Sequence, residues 1–207
     1  TLEVVFISTL LGFGLAIIVA LMRISDNRFY SIPAYSFIYL IRGTPLLLQL
    51  YFVYYGISQF SFVRESFLWP VLREPFWCGI ITLTISTGAY SAEIIRGGIQ
   101  SVSQGYIESG KALGLGRFAL FFKIIMPITT RQALPAYGNE LILMVKASSL
   151  ISIVTLMEIT GIARTIISKT YAPVEIFLVA GSIYLFINFI MTRIVKYAEN
   201  RLSIPNT

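Results

Sequence analysis

The sequence predicts an all-α integral membrane protein with five spanning helices, its N-terminus outside and its C-terminus in the cytoplasm. Three observations predict it. Of 207 residues, 56% are hydrophobic and only 13% are charged, whereas soluble domains carry charge at roughly a quarter of their positions. Long uncharged runs recur along the chain. The excess of cations, 16 Lys and Arg against 10 Asp and Glu, gathers in the connections between those runs.

So few charges cannot coat a water-facing surface or build a nucleic-acid groove. The net charge of +6 therefore reads as membrane topology, with lipid and not nucleic acid as the expected surroundings. His is absent and Cys78 is the single cysteine, which removes His general bases, Ser-His triads, common zinc sites and any intrachain disulfide. No catalytic residue and no metal site is expected.

The first span covers about residues 2–22, and its uncharged run 4–22 approaches the ~20 residues a helix needs to cross the hydrocarbon core. Arg23, Asp26, Asn27 and Arg28 close it. It lacks the cationic n-region and small-residue cleavage site of a secretory signal, so a retained helix is expected, with a natural extension ahead of Thr1. The second span, about 33–60, lies in a stretch whose only charge from Phe29 to Val63 is Arg42. That stretch is too long for one straight crossing, so a break is expected at Gly43-Thr44-Pro45.

The third span, about 75–98, is uncharged from Pro75 to Ala92 and ends on Glu93-Ile94-Ile95-Arg96-Gly97-Gly98. Residues 99–131, with Glu108, Lys111, Arg117, Lys123 and Arg131 among small residues and turn formers, read as the largest aqueous loop. A fourth span at about 132–157 is apolar apart from Glu140 and Lys146. Glu158, Arg164 and Lys169 mark a polar connection, and the fifth span, about 174–195, precedes Lys196 and Arg201. One transmembrane domain covers 1–207.

Lys and Arg are retained on the cytoplasmic side. With the N-terminus outside, Arg23, Arg28, Arg96, Lys111, Arg117, Lys123, Arg131, Arg193, Lys196 and Arg201 face the cytoplasm, against Arg64, Arg73, Arg164 and Lys169 outside. The wet loop is therefore cytoplasmic.

Gly105 to Lys111 has the spacing of a phosphate-binding loop, in which glycines let backbone amides cradle phosphate. Ala112 stands where Ser or Thr should hold magnesium, and no strand is expected before it. A short surface helix is expected instead, with Ser101 and Gln104 at capping-box spacing and Ser109, Gly110, Ala112 and Gly114 leaving it almost bare of bulk. Glu108 and Lys111 rim it. Such a helix fits a groove in another protein, and a tight loop packed on its own helices fits the composition equally.

These residues carry a resemblance. Glu108-Ser109-Gly110, then Gly114, then nine residues, then Ile124-Ile125-Met126-Pro127 is similar to the EAA loop of the membrane subunits of ABC importers. The chain departs from the motif with Ser109 and Gly110 where alanines are usual, a size-conserving change. Arg42-Gly-Thr-Pro-Leu, Ala89-Tyr-Ser-Ala-Glu93-Ile-Ile-Arg96-Gly-Gly and Leu134-Pro-Ala-Tyr-Gly-Asn-Glu140 resemble the polar amino acid permeases of the histidine, glutamine and arginine type. The stretch from Leu68-Trp69 to Glu74-Pro75, with Thr155-Leu-Met-Glu158 and Thr170-Tyr171, looks most like the arginine branch.

The resemblance implies a type I ABC importer permease bundle in the bacterial inner membrane. Its partners would be a second permease subunit, two cytoplasmic ATP-binding subunits and an external amino acid-binding protein. ATP and magnesium would sit on the ATPase and no cofactor on this chain. Glu108, Ser109, Gly110, Ala112, Gly114 and Pro127 would form the element that couples to the ATPase.

Ionisable residues inside spanning helices usually face a bundle interior or a wet cavity; here these are Arg42, Glu93, Glu140 and Lys146. On a helix Tyr137, Glu140, Met144 and Ala147 share one stripe, while Lys146 lies about 240° around from Glu140, so those two cannot pair. A cationic zwitterion needs carboxylates near its guanidinium or ammonium groups and donors for its own carboxylate. Glu140, Glu93, Tyr137, Met144, Ala147 and Ser148 are the candidate substrate residues. Two plainer roles stay open: Glu93 pairing with Arg96 one turn on, and Glu140 bonding a neighbouring helix.

In basic-amino-acid members an acidic residue often follows the Lys matched by Lys146, and Ala147 stands there. An asymmetric pair, with a related subunit supplying the main site, explains this, and homodimer and heterodimer both remain open. The rival readings are an intramembrane enzyme, for which Ser148-Ser149 near Lys146 offers only a Ser-Lys pair, and a non-transporting scaffold.

Overall fold

The structure, a computed structural model, describes residues 1–202 and contains helices and turns among them. α1 (Leu2–Ile24) lies along α6 (Pro75–Gln100). Ser8, Gly12, Ala16 and Ala20 recur every fourth residue and are buried, facing the buried Thr87, Gly88, Ser91 and Ala92 of α6. A Cβ on Gly12 would stand 2.9 Å from the Thr87 Cβ and 3.2 Å from the Thr84 carbonyl oxygen. Helices in lipid associate through close van der Waals packing, because lipid tails are as apolar as Leu, and this row of missing side chains permits it.

α2 (Arg28–Gly43) starts at Asn27, whose side chain accepts the Phe29 N–H at 2.9 Å. It stops where expected. The Thr44 hydroxyl donates to the Leu40 carbonyl at 2.8 Å, Pro45 begins α3 (Leu46–Tyr51), and the axis turns by 105°. Gln49 ties the corner by donating to the Ile41 carbonyl at 2.7 Å. A π turn (Phe52–Gly56) and a 3₁₀ turn (Ile57–Gln59) prolong α3, and two single turns, α4 (Ser61–Arg64) and α5 (Trp69–Leu72), lead into α6.

α7 (Gln104–Ala112) is the short helix after α6. Its N-cap is Ser103, not Ser101; the Ser101 hydroxyl instead donates to the Gly98 carbonyl at 2.6 Å, closing α6. Then α8 (Arg117–Leu120), a π turn (Phe121–Ile125), α9 (Met126–Ala147) and a 3₁₀ run (Ser148–Val154) form one rod, Arg117–Val154. The rod starts within the stretch expected to be an aqueous loop. Pro127 has no N–H to give and follows the widened turn in which Met126 N–H reaches back to Phe121, so the chain passes the proline without a break.

α10 (Ile159–Thr170) occupies what reads in the sequence as a polar connection. Glu158 is not a solvated loop charge but 3% exposed. One carboxylate oxygen accepts the Gly161 N–H at 2.9 Å; the other accepts the hydroxyls of Tyr184 and Thr1. It caps α10 and ties it to α11 (Pro173–Leu202). Glu158→Ala removes the cap and leaves the Tyr184 hydroxyl short of its acceptor, an expected loss of about 1–3 kcal/mol. Thermal unfolding in detergent checks it, and Glu158→Gln, which keeps an acceptor, is expected to lose less.

Four helices among the described residues are long and apolar enough to cross a membrane, and the bent pair α2 and α3 makes up to five. They are covered unequally: 56% of the apolar window of α6 is buried, but 6% of that of α11.

Candidate functional site

A cleft of about 570 Å³ opens between the end of α1, α2 and the second half of α6. Tyr35, Tyr39 and Arg42 line it from α2, four and three residues apart on one helical face. Tyr90, Glu93 and Arg96 line it from α6, and Arg23 from α1. Arg96 grips Glu93 with two prongs, Nε to Oε1 at 2.9 Å and Nη2 to Oε2 at 2.7 Å, and also reaches Gln100. The plainer role for Glu93 is therefore the observed one, and its charge is engaged.

The other two guanidinium groups rest on aromatic faces. Arg42 stands 5.1 Å from the Tyr90 ring centroid and Arg23 stands 5.0 Å from that of Tyr35, a cation–π arrangement. Arg23 also donates to the Ser31 hydroxyl at 3.4 Å. Neither forms an ion pair among the described residues. Arg23, Tyr35 and Tyr90 were missed as site residues in the sequence, where Arg23 counts only as a topology signal. The spacing of Tyr35, Tyr39 and Arg42, and of Tyr90, Glu93 and Arg96, is the signal that marks these two faces.

The candidate stripe on α9 is not brought into this cleft. Met144 is 3% exposed and accepts the Thr87 hydroxyl. Ser148 is 1% exposed and donates to the Val145 carbonyl at 2.8 Å, and Ala147 packs on the core around Ile80, Leu83 and Ile151. Met144 and Ser148 fill the bundle interior, and Ala147 is half-buried beside them. Tyr137 meets Phe13 edge-on at 5.4 Å and borders an apolar groove with Ile17, Leu21 and Phe122. Glu140 is half-buried, has no hydrogen bond among the described residues, and lies within electrostatic reach of Arg42. Lys146 points to the opposite side, into a groove with Ser182, Asn188 and Thr192 of α11, so it does not pair with Glu140.

The second candidate element is α7. Glu108, Ser109, Lys111 and Ala112 are exposed, Tyr106 is 59% and Leu113 80% exposed. Gly110 is the exception. It is buried, and a Cβ there would meet Leu120 at 2.5 Å and Ile124 at 2.6 Å. Both readings of the segment thus hold on different faces: Gly110 packs on the protein's own helices and the outer face is bare. Gly105 to Lys111 is helical, so its amides form no phosphate cradle.

Gly114 ends α7 at φ +76°. Leu115 N–H donates to the Gly110 carbonyl at 3.1 Å and Gly114 N–H to that of Lys111 at 2.9 Å, the paired bonds of a Schellman turn. Glycine takes this left-handed conformation without penalty. Pro127 lies in the first turn of α9, away from the bare face, and is half-buried.

A family model described as the binding-protein-dependent transport system inner membrane component matches residues 12–204. The chain is 54% identical over 200 residues to the nopaline transport system permease protein NocM of Agrobacterium fabrum, covering 96% of this chain and 83% of that protein. It is 37% identical over 202 residues to the histidine/lysine/arginine/ornithine transport system permease protein HisM of Escherichia coli K12, covering 97% and 85%. A crystal structure of an amino acid ABC transporter with histidines superimposes with a TM-score of 0.86 at 33% identity, over 97% of this chain and 89% of that one.

Proposed function

The chain belongs to the family of inner membrane components of binding-protein-dependent transport systems, and from that membership we propose that it is the permease subunit of an ATP-driven ABC importer for polar, chiefly basic, L-amino acids. The observation that carries the reading within this structure is α7, whose outer face is bare and whose end is fixed by Gly114. A small, rigid helix standing off the bundle suits a groove on an ATPase. Glu108, Ser109, Ala112 and Leu113 would enter it, with Gly110 and Pro127 holding the helix to the rod behind.

The permease would cross the bacterial inner membrane five times, counting α2 and α3 as one broken span, with the N-terminus outside. The distribution of Lys and Arg supports that orientation. ATP and magnesium would bind the ATPase subunits, leaving this chain without cofactor or catalysis of its own. A second permease copy or a related subunit would complete the path, and the bare face of α11 beside Lys146 supports such a pairing, since an ionisable side chain at membrane depth needs protein or water around it. The substrates named for HisM, histidine, lysine, arginine and ornithine, support a basic amino acid. Glu140 and Tyr137 remain the α9 residues nearest to a solute route, with alternating access as its physical logic.

Two measurements test this. Proteoliposomes holding the permease pair, the ATPase and the binding protein are expected to take up labelled arginine only with ATP; uptake indifferent to ATP overturns the reading. In a Cys78→Ala background, a cysteine at Ser109 is expected to react with a membrane-impermeant maleimide only in broken cells, and one at Glu65 in intact cells. The reverse pattern inverts the orientation.

A further inference from the structure

The cleft between α2 and α6 holds three guanidinium groups and one carboxylate. Arg96 takes up that carboxylate with both prongs, which leaves Arg23 and Arg42 with aromatic faces beneath them and no carboxylate at ion-pair distance among the described residues; Glu93 lies within electrostatic reach of both and Glu140 of Arg42. The Nε of Arg23 is buried without a hydrogen-bond partner. A buried donor without an acceptor is costly, and a stack on tyrosine offsets only part of that cost; Arg42 is exposed in the cleft and open to a ligand. Two cations held by rings in one cleft, the fork of Arg42 free and that of Arg23 bonded only through one prong to the Ser31 hydroxyl, form a receptor for planar anions, because guanidinium matches carboxylate in two-pronged geometry.

Depth decides which anion. Arg96 lies one turn from the end of α6, while Tyr90, beneath Arg42, lies six residues further in, or about 9 Å along the axis. A lipid headgroup stays at the rim, whereas a solute in a water-filled path reaches both levels. Arg42 is exposed at that level of the cleft, and an ionisable side chain within a spanning bundle usually faces a water-filled cavity. Resting on the proposed role as an amino acid permease, we infer that Arg42 and Arg23 receive the carboxylates of the transported solute on the cytoplasmic half of the path, and that Glu93 holds Arg96 out of competition. The cleft selects for carboxylate at one end of the solute; the cationic end is recognised elsewhere. With two guanidinium groups that no carboxylate pairs, the site takes one carboxylate, and a solute carrying a second binds more tightly.

The test uses the permease pair with its ATPase in nanodiscs of zwitterionic lipid, without binding protein, and measures equilibrium binding of three probes. L-argininamide has no carboxylate, L-arginine one, and Nα-carboxymethyl-L-arginine two. Affinity is expected to rise about tenfold or more at each step. Arg42→Gln is expected to lower arginine affinity about tenfold and leave argininamide unchanged. If Arg42→Gln fails to assemble, Arg42→Lys keeps the charge without the fork and is expected to lose arginine affinity severalfold, again sparing argininamide. Equal affinity for arginine and argininamide in the wild type, or an equal drop for both in either variant, overturns the inference. Absence of ATP-driven arginine uptake by the wild-type complex would instead overturn the permease reading, so the two failures are distinguishable.

Discussion

Glu108→Arg combined with Gly114→Asp is expected to abolish ATP-driven uptake and to release the ATPase from the membrane pair. The two changes act on different physical features of α7. Glu108 is an exposed carboxylate on the bare face, so on the proposed docking of α7 reversing its sign would place a cation where the ATPase groove would accommodate an anion. Disrupting one partner of a buried charged contact costs about 2–5 kcal/mol, or a factor of roughly 30 or more in the association constant. Gly114 acts through the backbone. At φ +76° a side chain costs about 1–2 kcal/mol, and loss of the Schellman bonds to Gly110 and Lys111 lets the helix end drift. Co-purification of the ATPase with the double variant, together with labelled uptake in proteoliposomes, checks this. A double variant that assembles and transports normally would remove α7 as the coupling element. Gly110→Ala is expected to behave differently, since its Cβ meets Leu120 and Ile124 within the protein and should lower stability before it weakens ATPase binding.

Gly12→Val is expected to have the second large effect, on the fold itself. A Cβ at this position already stands 3.2 Å from a backbone carbonyl, that of Thr84, and the two methyl groups of valine extend further into the seam. The carbonyl cannot swing aside as the end of a side chain can, so α1 must retreat from α6. Overpacking of this kind costs about 1–3 kcal/mol, and the retreat weakens every contact of the row Ser8, Gly12, Ala16 and Ala20. The expected readout is a lower unfolding temperature in detergent and less folded protein in the membrane. Gly14→Val provides the comparison, because a Cβ there has nothing within 4 Å. Equal loss in both variants would mean that the seam does not limit stability.

What can be read in the sequence follows from the range of each interaction. The corner at Gly43-Thr44-Pro45 is local: a proline without an N–H and a threonine bonding its own helix end produce it from neighbouring residues alone. The separation of Glu140 from Lys146 follows from helical pitch, and they do face different sides. The pairing of Glu93 with Arg96 is one turn long and was legible as one of two roles. Glu158 was not. Its partners Thr1 and Tyr184 lie 157 and 26 positions away, and no periodicity connects them, so a carboxylate at the mouth of a short helix looked like a solvated charge.

Periodicity also has a blind side. It places Tyr137, Glu140, Met144 and Ala147 on one stripe but does not say what the stripe faces. Met144 is buried beside α6 and Ala147 packs half-buried on the same core, while the cleft formed by Arg23, Arg42 and Tyr90 draws on three helices distant in the chain. The sequence by itself determined that this protein lies in a membrane, where its apolar segments run, where the second of them breaks and that a small surface helix ends at Gly114, because hydrophobicity, missing donors and helical spacing act over a few residues. Tertiary structure alone decided which ionisable side chains are engaged and which are free, because that depends on the neighbour each helix meets across the bundle.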